Sequence, residues 1–192
     1  MRLVTVLLIA LAALLVVGAT ASAQTPYIGV FFEVSPNCNG ITDTAIPPGV
    51  FGAIDSLYVI AYNFSCFVTG VQLKVEYPPV CMQWVADIGT QPVTIGSTDT
   101  GMSMGWALPQ NNFPPNPLCI ATVIFQWVCT DCSQTNIPVR VVGHPLFNPL
   151  NPEYTCFNQI GTFPAEGLTA LICPTVPVED TTWGQVKSLY GQ

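Results

Sequence analysis

Charge is scarce in this chain. Lys, Arg, Asp and Glu make up 8% of its 192 residues, where a typical globular domain carries about 25%. The few charges are lopsided, 4 basic against 11 acidic, for a net charge of -7. So acidic a chain lacks the cationic footprint that a phosphate backbone requires, which excludes nucleic acid as a partner. Histidine is nearly absent: His144 stands alone between Gly143 and Pro145, which reads as a solvated turn rather than a general base or one member of a zinc set. A Gly-x-Ser-x-Gly elbow, a His-Glu-x-x-His helix and a phosphate loop are all missing. Between Tyr27 and the C-terminal tail no stretch keeps a helical period over a helix's length, and 18 prolines would interrupt one at many places. Disorder is excluded as well, since 50% of the chain is hydrophobic and 10% aromatic.

What is present begins with an export signal. Met1 and Arg2 precede an apolar run from Leu3 to Val17, followed by Gly18 and the small residues Ala19 to Ala23. The positive start, the short apolar core and the Ala21-Ser22-Ala23 site predict a secretory signal peptide over 1–23, cleaved before Gln24. A run of about fifteen residues at about 1.5 Å each falls short of a hydrocarbon core about 30 Å thick; the alternative is an uncleaved anchor. Removing 23 of the 192 residues leaves 169, and with Arg2 gone 3 cations face 11 acids, a net charge of -8. That length suits one domain, over 24–176, and a tail, over 177–192, with no membrane span left after cleavage. The expected location is secreted or on the cell surface, with the periplasm as an alternative.

All eight cysteines follow the signal: Cys38, Cys66, Cys81, Cys119, Cys129, Cys132, Cys156 and Cys173. An even set in an oxidising compartment reads as disulfides of unspecified connectivity. Cys129-Thr130-Asp131-Cys132 also admits a metal or redox reading. Turn chemistry follows it, however, from Ser133 to Pro138 rather than a helix, and no second ligand pair accompanies it.

From Tyr27 onward the apolar pattern has period two, the mark of half-buried strands. Strands are expected at Tyr27 to Glu33, Ser56 to Asn63, Val68 to Tyr77, Met82 to Ala86, Val93 to Gly96, Met102 to Leu108, Leu118 to Cys129, Ile137 to Val142 and Gly167 to Cys173. The phases of Met102 to Leu108 and Leu118 to Cys129 place Trp106 and Trp127 in a core. Short strands with frequent turn signals predict an all-β fold, an antiparallel two-sheet β-sandwich. The segments around Pro109 to Pro117 and Pro145 to Pro152 read as ordered surface loops. In the tail, Thr182 and Gln185 make a capping box, and Trp183, Val186, Leu189 and Tyr190 share one side of a short amphipathic helix that packs on the sandwich or recognises a partner.

Gly70-Val71-Gln72-Leu73-Lys74-Val75-Glu76-Tyr77-Pro78-Pro79, then Gly105-Trp106-Ala107-Leu108 and Leu118 to Phe125, resembles cohesin-like and carbohydrate-binding-like sandwich modules over roughly Ala45 to Val142. That resemblance implies a sandwich that binds rather than catalyses, and it does not extend to dockerin binding: Pro78 replaces the usual acid or Asn, and cohesins lack this cysteine density. The tail from Thr181 to Tyr190 resembles a closing motif of uncharacterised exported bacterial proteins, which implies location.

The candidate function is therefore an exported non-catalytic module that binds a glycan, a surface protein or copies of itself, without a cofactor. Trp84 and Tyr154 are the aromatics expected to face outward for stacking on a sugar. The alternative is a small secreted hydrolase using a carboxylate pair such as Glu33 with Asp43. Loop acids Asp43, Asp55, Asp87, Asp99 and Asp131 lack the Asp-x-Asp-x-Asp spacing of a calcium loop. Asn63-Phe64-Ser65 has the form of a glycosylation sequon but reads as a strand end.

Overall fold

The computed structural model describes residues 25–32, 45–46, 49–89, 93–110, 117–130, 132 and 134–174. The signal segment, the tail with Trp183, Val186, Leu189 and Tyr190, and the residues Glu33, Cys38, Asp43 and Asp131 lie outside them. The described residues form thirteen strands: β1 Tyr27–Phe31, β2 Ala45–Ile46, β3 Ile54–Tyr62, β4 Val68–Glu76, β5 Met82–Gly89, β6 Val93–Ser97, β7 Gly101–Gln110, β8 Leu118–Trp127, β9 Ile137–Val142, β10 Glu153–Cys156, β11 Phe163–Pro164, β12 Glu166–Gly167 and β13 Thr169–Ile172.

They form two sheets. The first runs β12-β1-β3-β8-β5; the second runs β11-β10-β4-β9-β13-β2, with β7 on the other side of β4 and β6 outside β7. Pairings are antiparallel except for the two-residue contacts of β12 with β1 and β2 with β13. Alternation puts one face of each sheet inside. Ile28, Val30, Leu57, Val59, Val123, Phe125 and Trp127 from the first sheet meet Val71, Leu73, Val75, Met102, Met104, Trp106, Val139, Val141 and Ile172 from the second in one buried cluster. Each such aliphatic or aromatic side chain stabilises the fold by about 1.5–3 kcal/mol. The chain is thus an all-β two-sheet sandwich, and both Trp106 and Trp127 are buried in it.

Disulfides hold the rims. Cys66 joins Cys156 across β4 and β10, Cys81 joins Cys129, and Cys132 joins Cys173, with Cα separations of 5.8, 4.4 and 5.4 Å. Cys119 is disulfide-bonded too. Cys129 and Cys132 bond to two different partners, so the Cys-x-x-C segment is a double strap and not a dithiol pair.

Two bulges change which side chains face inward. In β5 the register with β8 shifts between Trp84 and Ala86, which brings Asp87 rather than Ala86 to the inner face beside Trp84. In β4 it shifts between Val68 and Gly70, which sets Thr69 apart from the ladder to β7.

Candidate binding site on the second sheet

Residues directly opposite one another in neighbouring strands share a face. Across β6, β7, β4 and β10 this rule builds two outward rows. One is Ile95, Ser103, Gln72, Glu153; the next is Val93, Gly105, Gly70, Thr155. Gly105 and Gly70 carry no side chains, so the centre of the second row is bare backbone. Val93 and Ile95 stand up on one side of it and Glu153, Thr155 and Thr162 on the other, enclosing a trough of about 250 Å³. Three of its polar side chains are held: the Thr69 and Thr155 hydroxyls hydrogen-bond at 3.0 Å, and Asn148 Nδ2 donates to Glu153 Oε1 at 3.0 Å. Glu153 is the only charged residue of the lining. The trough therefore offers exposed backbone, hydroxyls and an amide between apolar walls, which suits an elongated ligand and supplies no acid–base pair.

The two glycines differ in the space around them. A Cβ on Gly70 would stand 2.9 Å from Thr155 Oγ1 and 3.0 Å from the Met104 carbonyl oxygen, whereas one on Gly105 would meet nothing closer than the Thr69 carbonyl oxygen at 3.9 Å. Gly70 is required by close packing, and Gly105 leaves room above the floor.

Neither aromatic expected to face outward does so. Tyr154 is only 6% exposed. It lies on the inner side of β10 with ring centroids 4.3 Å from Phe64 and 5.7 Å from Phe163, and burial raises its phenol pKa. Trp84 packs against the core and donates its indole N–H to Asp87 Oδ1 at 3.1 Å, because the β5 bulge puts both on the inner face. His144 is not solvated either. It is buried, its Nδ1 accepts the Leu146 N–H at 3.2 Å, and its carbonyl oxygen accepts the N–H groups of Phe147 and Asn148.

Two of the described carboxylates serve the scaffold. Asp87 accepts the Thr98 N–H and hydroxyl, each at 2.6 Å, besides the Trp84 indole. Asp55 accepts the Ser56 N–H at 2.8 Å and the Trp127 indole N–H at 3.2 Å. Among the described residues no group of three or more His, Cys, Asp or Glu is placed to hold a metal ion.

Half-buried tyrosines gather instead around the buried Phe31 on the outer face of the first sheet. Tyr27 and Tyr62 stack with centroids 5.1 Å apart and planes 19° apart, and Phe31 meets Tyr62 edge-on at 5.7 Å. With Tyr58 and Ile60 they form a second apolar cluster. Burial raises the Tyr27 and Tyr62 pKa values, and the Tyr27 charge adds to the rise at Tyr62. The signal for this cluster was available in the alternation of Tyr58, Ile60 and Tyr62. The trough was harder to see, because glycines leave no mark in an apolar pattern.

No protein-family model matches the chain, and no curated protein matches it. Solved structures do. The seventh ScaB type I cohesin from Pseudobacteroides cellulosolvens is 10% identical, covering 81% of this chain and 96% of its own, with a TM-score of 0.46. A type II cohesin domain from the cellulosome of Acetivibrio cellulolyticus is 13% identical, covering 78% and 95%, with a TM-score of 0.48. A non-cellulosomal cohesin from the hyperthermophilic archaeon Archaeoglobus fulgidus is 12% identical, covering 84% and 98%, with a TM-score of 0.45. Each is a cohesin module, the group that the strands around Gly70 to Pro79 and Leu118 to Phe125 resemble.

Proposed function

We propose that the chain is an exported, non-catalytic sandwich module that binds a surface or matrix partner, glycan or protein, in the trough over β6, β7, β4 and β10. The observation that carries this is the bare floor at Gly105 and Gly70, flanked by exposed apolar and hydroxyl side chains on a rigid sheet. Commitment of Asp55 and Asp87 to structural hydrogen bonds supports a binding role over hydrolysis. Export is supported by the 1–23 segment and by disulfides that persist in oxidising compartments. It leaves the sandwich over 24–176 and the tail over 177–192.

The test is co-sedimentation of the oxidised protein with cell-wall or matrix material. Retention is expected, and Gly105→Phe should abolish it by filling the trough while changing stability by no more than about 0.5 kcal/mol, as at other open surface positions. Equal retention of the variant, or none by the unaltered protein, defeats this assignment.

A further inference from the structure

We propose that the loop between β9 and β10, over 143–152, inserts its tip into the surface of a lipid bilayer, independently of the trough. Three large apolar side chains stand out from it: Leu146 is 83% exposed, Phe147 61% and Leu150 80%. Single exposed apolar residues are ordinary, but three so close together form a patch that calls for a partner. From Val141 to Pro152 the chain holds no Asp, Glu, Lys or Arg, so insertion of the tip would bury no formal charge.

The backbone of the loop singles out lipid. Pro145, Pro149 and Pro152 have no N–H. The remaining residues between them use theirs inside the loop. Leu146 donates to His144 Nδ1 at 3.2 Å, Phe147 and Asn148 donate to the His144 carbonyl oxygen at 3.1 Å, and Leu150 and Asn151 donate to Asn148 Oδ1 at 3.2 and 3.4 Å. Every N–H from Pro145 to Pro152 is thus accounted for within the loop. In water this gains little, because solvent would serve the same donors; at the edge of hydrocarbon it matters, because an N–H left without a partner there is expensive. A protein partner fits less well. A partner strand would look for free donors, and a groove would cover one side only, whereas six of the eight residues from Pro145 to Pro152 are exposed and the tip is convex.

The loop also holds its shape before it meets anything, so little ordering entropy is lost on insertion. The buried His144 ring lies 4.7 Å from that of Phe147, Asn148 Nδ2 is tied to Glu153 Oε1, and the ends close tightly at Gly143, where a Cβ would collide with the Asn148 and Asn151 carbonyl oxygens. Charge selects the kind of lipid. A chain with a net charge of -7 is repelled by anionic headgroups, which leaves a zwitterionic surface as the one that fits.

Flotation of the oxidised mature protein with vesicles of phosphatidylcholine alone is the test. The protein should rise with the vesicles, and replacing part of the phosphatidylcholine by phosphatidylglycerol should weaken binding at low salt. Leu146→Asp and Leu150→Asp should each lower partitioning about tenfold or more, and should leave the melting temperature unchanged because both side chains are exposed. Failure to float, flotation that strengthens with phosphatidylglycerol, or flotation indifferent to both substitutions, as insertion of the tail over 177–192 would give, would each overturn the proposal. So would a Leu146-dependent dimer without lipid, which would assign the loop to a second copy. The trough is read separately: Gly105→Phe should float like the unaltered protein, and Leu146→Asp should match it in retention on lipid-free wall or matrix material.

Discussion

Tyr77 sits at the end of β4 with its hydroxyl 2.5 Å from Thr98 Oγ1. Thr98 gives its own hydroxyl hydrogen to Asp87, so Tyr77 is the donor. Burial is the main cause of a strongly raised phenol pKa, and the Asp87 and Asp99 charges reinforce it. Because the folded pKa lies above the unfolded value near 10, the neutral phenol stabilises the fold fully below about pH 10, and that stability is lost as pH climbs further. Between about pH 10 and pH 12 Tyr77 alone should contribute a fall of about 1.4 kcal/mol per pH unit. Tyr77→Phe should flatten the curve by that amount, read from denaturant midpoints across the range; parallel curves would refute the role given to this phenol. At this scale the sequence was informative for Trp106 and Trp127, whose positions in long alternating strands give their phase. It misled for Trp84 and Tyr154, because a bulge inverts phase without a marker and a four-residue strand after Pro152 has too short a pattern to show one.

Elements meet where Asp87 ties three of them together. Its carboxylate, on β5 of the first sheet, takes the N–H and hydroxyl of Thr98 in the β6–β7 turn. Thr98 in turn accepts the Val75 N–H of β4 through its carbonyl oxygen, at 2.7 Å. Thr98 is fully buried, so losing the carboxylate strands its N–H without water. Asp87→Ala should cost about 1–3 kcal/mol, measured by chemical unfolding with disulfides intact, and Asp87→Asn should fall between it and the unaltered chain. Equal stability of Asp87→Ala would show the clamp to be idle. Strands β4, β7, β8 and β9 were legible because each alternates over six or more residues. Strand β10 was not, since its identity comes from pairing with β4 and from the Cys66 bridge rather than from its own four residues.

Over the whole molecule, composition and period sufficed for a two-layer β fold with oxidised cysteines. They were silent on connectivity, because pairing depends on which rims the topology brings within about 6 Å. The bridges enclose long loops: 90 residues separate Cys66 from Cys156, 48 separate Cys81 from Cys129, and 41 separate Cys132 from Cys173. Each contributes about 2–4 kcal/mol.

The double strap at Cys129 and Cys132 also governs how the molecule answers to tension. A pull applied beyond Cys173 enters the body by two covalent routes, through Cys132, Cys129 and Cys81 and through Cys156 to Cys66, so β9 lies inside a closed loop that force does not stretch. Drawn out in a single-molecule experiment, the oxidised protein should lengthen less on unfolding than the reduced one, by at least the 41-residue span between Cys132 and Cys173; equal extensions would remove the strap from the path. A module moored by its C-terminal end would thus transmit drag to its body through sulfur.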